Sequence, residues 1–186
     1  GDIVVGADSH SDTIGALGCF GFGVGATDMA YIFATGKTWI RVPETIHIHF
    51  KGMPSQNING KDIFLEVANR LRCKGAIYKG IVFTADYTFP LAWRATLCNM
   101  GIEIGAKVAL FEPDELIAEY ANIPLDEIKA IQSDPNAAFD EEIEIDISAV
   151  KPLVACPHGV DNVKAVKDIE QKIDVAFIGT CTGGRL

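Results

Sequence analysis

The sequence lacks three features that would each have pointed to a particular class of protein. It has no run of about 18 apolar residues, which argues against a membrane-spanning helix. It has no basic stripe, and its 16 lysines and arginines against 25 acidic residues give a net charge of −9, which argues against a nucleic-acid ligand. It has no CxxC pair among its five widely spaced cysteines, which argues against a disulfide framework and favours a reducing cytoplasm.

The first residues also lack an initiator methionine and a basic-then-apolar signal segment, since Gly1 opens directly onto the apolar run at 3–5. We therefore interpret the chain as an internal piece of a larger cytoplasmic protein. The composition is otherwise ordinary, with 48% hydrophobic and 22% charged residues. It predicts a folded globular chain with a substantial core.

Short apolar runs alternate with helical patterns along the chain, which predicts an α/β fold with mostly parallel sheets and flanking helices. Helices are expected at 61–71 and at 90–106, where apolar residues recur at helical spacing and Pro90 suits a first turn. Strands are expected at 3–5, 46–50, 80–83, 108–111, 143–147 and 175–178.

Pro43 and Pro152 mark the expected domain boundaries, because the pattern changes before each of them. They divide the chain into the end of a first domain at 1–42, a central α/β domain at 43–152 and the start of a third domain at 153–186. The glycine-rich run before Pro43 is predicted to be helical and closely packed. It does not directly follow a strand, as a dinucleotide-binding loop would.

Asp8, Ser9 and His10 follow the first predicted strand and contain the side chains of a hydrolase triad. Adjacent side chains point in different directions, so we do not expect these three to form a relay among themselves. Two interpretations remain open. The residues either line a ligand pocket or form a turn that caps the following helix.

Asn99 and Glu103 are four residues apart, which on a helix places an amide and a carboxylate on one face. Apolar residues surround them, so the pair is expected in a mostly buried helix where its polar groups need partners. His47 and His49 share one face of a predicted strand, but no cysteine or acid stands at a matching spacing, so we interpret them as structural. Cys19, Cys73 and Cys98 are typical of core thiols, and Cys156 is left open.

Three motifs, GADSHSDTIGALG, ATLCNMGIEIGA and FIGTCTGGR, occur in this order and spacing. Together they resemble the aconitase superfamily of iron–sulfur hydro-lyases, most closely its 3-isopropylmalate dehydratase, homoaconitase and dimethylmalate dehydratase large subunits. The resemblance runs through nearly the whole chain and implies an incomplete three-layer aconitase-like fold.

The resemblance also implies a 4Fe–4S cluster in the full-length protein, with Cys181 as one of three thiolate ligands and a CxxC-like pair beyond Leu186 supplying the others. It implies that His10 and Glu103 act together in catalysis, that Asp8 partners a histidine upstream of this chain, and that Ser9 and Asn99 bind or orient substrate. Gly183 replaces the family's usual asparagine, and Ser11 its usual threonine.

The activity implied is the removal and re-addition of water on a hydroxy di- or tricarboxylate, most closely the isomerisation of 3-isopropylmalate in leucine biosynthesis. A separate small subunit is expected to carry the domain with the substrate-binding arginine. The isolated chain is expected to be inactive and to lack a complete cluster. The alternatives are a cluster-free binding protein, against which the acidic charge speaks, and a truncated chain with no function of its own.

Overall fold

The computed structural model describes residues 2–129 and 131–183, and it has the predicted α/β class. None of its described helices is long and apolar enough to cross a bilayer. The α-helices are α1 (Ala26–Thr35), α2 (Gly60–Leu71), α3 (Leu91–Asn99), α4 (Glu115–Ala121), α5 (Leu125–Lys129) and α6 (Thr180–Gly183). The strands are β1 (Ile3–Gly6), β2 (Phe20–Gly23), β3 (Thr45–Lys51), β4 (Gly80–Ala85), β5 (Val108–Phe111), β6 (Glu141–Asp146), β7 (Leu153–Ala155) and β8 (Val163–Ala165). The 3₁₀ helices are Ser9–Leu17, Met100–Ile104 and Val166–Asp168.

The main sheet has four parallel strands in the order β5-β4-β3-β6. Helices connect its successive strands, as parallel pairing requires. β1 and β2 form a second, parallel pair, and β7 and β8 form an antiparallel hairpin. The prediction of a largely parallel sheet is therefore confirmed. Five of the six predicted strands are also found, as β1, β3, β4, β5 and β6.

The core lies on one face of the main sheet, because β3 alternates between buried and partly exposed residues. Ile46, Ile48 and Phe50 are fully buried and belong to the same apolar cluster as Ile63 and Phe64 of α2. On the other face of β3 lie the two histidines of the sequence motif.

A capping box fixes the beginning of α2. The side chain of Asn59 accepts hydrogen bonds from the amides of Lys61 and Asp62, and Asp62 accepts one from the amide of Asn59. Asp62 also accepts a hydrogen bond of 2.8 Å from the amide of Leu153. One carboxylate thus anchors both the helix and the entry to the β7–β8 hairpin.

The two histidines of β3 contact one hydroxyl on the neighbouring strand. His47 Nε2 and His49 Nδ1 each lie 2.8 Å from Thr84 Oγ1, and His49 Nε2 lies 3.1 Å from Asp86 Oδ1. Three of their four ring nitrogens are therefore within hydrogen-bonding distance of Thr84 or Asp86, and the fourth, His47 Nδ1, lies 3.8 Å from Glu142.

Two predicted elements are wrong. Residues 175–178 do not form a strand, because no strand of the described chain pairs with them, and the side chains of Val175, Phe177 and Ile178 are more than 80% exposed. The glycine-rich run is not one helix, since β2 interrupts it at Phe20–Gly23.

The close packing expected of this run does occur at Gly15. A Cβ atom there would lie 1.9 Å from the carbonyl oxygen of Ala109, so only glycine allows the first 3₁₀ helix to approach β5 this closely. At the end of that helix, Gly18 has a left-handed conformation with φ 72°.

Candidate active site

The first 3₁₀ helix, Ser9–Leu17, follows the carboxyl end of β1 after two residues. Asp8 is its N-cap, and Asp8 Oδ1 accepts a hydrogen bond of 2.7 Å from the amide of His10. This capping contact is one of the two interpretations that the sequence left open. The same carboxylate oxygen lies 3.8 Å from His10 Nδ1.

His10 lies between two polar side chains. Its Nε2 atom is 3.4 Å from Glu103 Oε1, and its Nδ1 atom is 3.1 Å from Ser9 Oγ. A carboxylate can only accept hydrogen bonds, so neutral His10 carries its proton on Nε2, and Nδ1 accepts one from the hydroxyl of Ser9. Ser9 and His10 therefore contact each other, whereas Asp8 Oδ1 lies 3.8 Å from His10 Nδ1, which is too far for a hydrogen bond.

Glu103 reaches His10 because α3 changes its winding at Asn99. The chain continues from there as the second 3₁₀ helix, Met100–Ile104, which ends at Gly105 with φ 89°. The Glu103 side chain is 48% exposed, whereas Asn99 is 3% exposed. The prediction that both lie on one face of a single buried helix is therefore wrong, because the change of winding separates their directions.

A partly buried hydrogen bond joins the two elements that carry the His10–Glu103 pair. Asn99 Nδ2 donates to Thr13 Oγ1 at 2.7 Å and so ties the end of α3 to the first 3₁₀ helix. The hydrogen bond uses Asn99 Nδ2, part of the side-chain amide that the resemblance implies binds or orients substrate. The role of Asn99 in substrate binding stays a prediction, as do the roles of Asp8, Ser9, His10 and Glu103.

Asp12 is a polar residue at the site that sequence reasoning missed. It is 2% exposed, and neither carboxyl oxygen has a hydrogen-bond partner of good geometry among the described residues. Burial raises the pKa of Asp12 to about 8, although the nearby amides of Ile102, Asp12 and Thr13 favour the charged form. The only signal in the sequence was a carboxylate two residues after His10, in a segment that contains no lysine or arginine.

A cleft of about 390 Å³ opens beside His10. Its polar end is formed by His10, Ser11 and Thr13, and its wall by apolar side chains that include Ile14 and Leu91. No lysine or arginine of the described chain lines it. The cleft can therefore hold a small molecule next to the imidazole, but it contributes no cation to bind a carboxylate.

Cys181 lies on the other side of α3. Its side chain is exposed, and it lines a second cavity of about 320 Å³ together with Lys61 and Trp93. Ala95 lines this cavity as well as the cleft beside His10, so the two spaces adjoin across α3. Arg185, which belongs to the same sequence motif, lies outside the described residues.

The cysteines of the described residues do not form the ligand set of a complete iron–sulfur cluster. The described residues bring no three histidine, cysteine, aspartate or glutamate side chains together as metal ligands. Cys98 is fully buried, and burial raises the pKa of its thiol, so it is not a candidate thiolate. Cys73 donates a hydrogen bond to Asp161 at 2.8 Å. Cys181 therefore stands as a single exposed thiol.

The fold and the site define an α/β chain that holds an imidazole–carboxylate pair beside a small-molecule cleft. Residues 1–172 match the aconitase family (aconitate hydratase). The chain belongs to the aconitase family, which confirms the resemblance carried by the three motifs.

Two relatives illustrate the similarity. The chain is 44% identical to "3-isopropylmalate dehydratase large subunit 1" of Thermotoga maritima, over 100% of this chain and 46% of that protein. It is 45% identical to "probable methanogen homoaconitase large subunit" of Methanosarcina mazei, over 100% of this chain and 49% of that protein. The chain thus spans about half the length of the curated relatives it matches.

Proposed function

We propose that this chain is part of the large subunit of a hydro-lyase that removes water from 3-isopropylmalate and adds it back. The observation that carries the proposal is the 3.4 Å contact between His10 and Glu103, which lie 93 residues apart in a chain of the aconitase family. A dehydration needs a proton for the leaving hydroxyl, and a positioned imidazole–carboxylate pair can supply one.

In this proposal His10 reacts as the imidazolium: it gives its Nε2 proton to the leaving hydroxyl and is left as the neutral ring, with a proton on Nδ1. The C–O bond breaks with its electron pair on oxygen, and the hydroxyl leaves as water. Glu103 orients the ring and stabilises the imidazolium state, while the hydroxyl of Ser9 holds Nδ1. The base that takes the C–H proton lies outside the residues assigned here. Rehydration runs the same transfers in reverse.

The substrate carboxylates need cations that the cleft beside His10 does not provide. We propose that they come from a separate small subunit, as the large-subunit names of the relatives suggest. In the same way, Cys181 is proposed as one thiolate ligand of a 4Fe–4S cluster whose other ligands lie outside the described residues. We also propose that the enzyme is cytoplasmic and that its domain boundaries lie at Pro43 and Pro152.

A homoaconitase-type activity is the second candidate. The relative from Methanosarcina mazei carries that name at an identity similar to that of the relative from Thermotoga maritima. The lining of the described cleft, with its apolar side chains beside His10, does not discriminate between a substrate with a branched alkyl group and one with an additional carboxylate.

The test is a comparison of substrates with the complete large subunit, its small subunit and a reconstituted cluster. Wild-type enzyme should convert 3-isopropylmalate to the unsaturated diacid with a higher kcat/KM than a homologous tricarboxylate. The reverse order would favour the homoaconitase reading. Conversion of neither substrate would contradict both.

A further inference from the structure

We propose that Asp12, which is buried at the contact between the two 3₁₀ helices without a hydrogen-bond partner in the described chain, is a positioning residue that seats the first helix against the second and so keeps His10 beside Glu103. The effect on turnover rests on the function proposed above, whereas the effect on the geometry of the pair does not. Asp12 is not required to touch substrate in this role.

The geometry places the Asp12 carboxyl at the contact between the two helices. Asp12 lies two residues after His10 in the first helix. Gly101 lies two residues before Glu103 in the second helix. A Cβ atom on Gly101 would lie 3.4 Å from Asp12 Oδ2, so the carboxyl of the first helix packs against the backbone of the second. A change in the volume or charge of this carboxyl therefore acts on both supports of the pair.

The surroundings of Asp12 favour a neutral group. The titratable groups of its own helix are Asp8 at the N-cap and His10, whose ring contacts Ser9 and Glu103, and α3 contributes the buried thiol of Cys98. None of them is a hydrogen-bond partner of the Asp12 carboxyl. Arg94 of α3 is committed to Asp114, and β2 and β5 contain no ionisable residue. Glu103, from the second helix, is itself an acid.

An ionised Asp12 would place a charge without a cationic partner in this buried contact, where, among the described groups, only backbone amides favour it. Burial of a charge without a partner is expensive, so the contact should open to admit water when the proton is lost. The Asn99–Thr13 hydrogen bond between α3 and the first helix does not titrate. It should hold the fold together while the second helix, and Glu103 with it, moves away from His10.

The first experiment follows the pair directly by NMR in the 186-residue chain. The probe is the nuclear Overhauser effect between the His10 ring protons and the Glu103 side chain, recorded near pH 6.5 and near pH 9.5, on either side of the Asp12 pKa of about 8. In wild type the signal should weaken severalfold at the higher pH. In Asp12→Asn, which has the same shape but cannot ionise, it should be equal at both.

Asp126→Asn is the matched control, since Asp126 is an exposed carboxylate on α5, and it should behave as wild type. Asp12→Ser is a second non-ionising variant in case the asparagine variant folds poorly. An undiminished signal in wild type at the higher pH would overturn the proposal. So would an equal pH-dependent loss in wild type and in the non-ionising variants.

The second experiment measures turnover in the complete enzyme. As pH rises through about 8, the kcat of wild type should fall more steeply than that of Asp12→Asn, because both lose the His10 proton but only wild type also ionises Asp12, with KM unchanged in both. Parallel pH profiles of the two proteins would contradict the positioning role. An enzyme without turnover on any hydroxy acid would contradict the proposed function alone, because the NMR result stands independently.

Discussion

Replacement of Glu103 by glutamine should separate a catalytic role from a structural one. The Glu103 and His10 side chains are 48% and 28% exposed and 3.4 Å apart, so solvent screens the pair. Such an exposed contact contributes about 0–1 kcal/mol to the free energy of unfolding. A positioned acid–base group instead contributes a factor of about 100 or more in rate, which corresponds to about 2.7 kcal/mol of barrier.

We therefore expect Glu103→Gln to lower kcat about 100-fold or more in the complete enzyme, with KM and urea stability nearly unchanged. Steady-state kinetics and urea unfolding measure the two effects on the same preparation. Glu144→Gln is the control, because it removes an exposed carboxylate that pairs with Lys51 at 2.6 Å on the main sheet. A kcat within twofold of wild type, or an equal loss in the control, would refute the catalytic reasoning.

Three further predictions concern stability and the cluster. Because the pKa of Asp12 is raised from 3.8 to about 8, the folded chain keeps a proton that the unfolded chain releases, and the free energy of unfolding should fall as pH rises from about 4 to about 8. In urea unfolding, the free energy of unfolding of wild type should fall by at most about 1.4 kcal/mol per pH unit, and Asp12→Asn should remove this pH dependence. An equal pH dependence in both proteins would contradict the prediction. Arg94 is 2% exposed and donates to both carboxylate oxygens of Asp114, at 2.9 and 2.5 Å. Asp114→Ala leaves this buried guanidinium without its carboxylate, so it should lower the free energy of unfolding by about 3 kcal/mol in the same assay, and a loss below about 1 kcal/mol would contradict the reasoning. The 186-residue chain should stay colourless after anaerobic reconstitution with iron and sulfide, and Cys181→Ser should abolish or destabilise the cluster of the complete protein. Stoichiometric binding of about four irons by the short chain would show that other thiols complete the site.

The sequence was most informative where burial and periodicity agree. The alternation of β3 and the helical spacing of α2 follow from one buried face each, so local pattern predicts both elements. β2 was missed because two of its four residues are glycines, which weaken a strand signal. Residues 175–178 have a strand-like composition, but a strand also needs a hydrogen-bonding neighbour, which local pattern does not specify.

The candidate site was predictable only in part. Motif resemblance named His10 and Glu103, but spacing alone placed Glu103 in a buried α-helix and missed the change to a 3₁₀ helix after Asn99. That change depends on tertiary contacts such as the Asn99–Thr13 hydrogen bond. The buried state of Asp12 likewise follows from the approach of two elements far apart in sequence, so composition could not reveal it.

The most direct test of the central claim is a dehydration assay on the complete protein with its cluster and small subunit. The account predicts that 3-isopropylmalate loses one water to give the unsaturated diacid, followed by absorbance or NMR, and that His10→Asn lowers kcat about 100-fold or more in a folded, cluster-loaded enzyme. A cluster-loaded complex that converts no hydroxy di- or tricarboxylate, or one whose kcat is unchanged by His10→Asn, would contradict it.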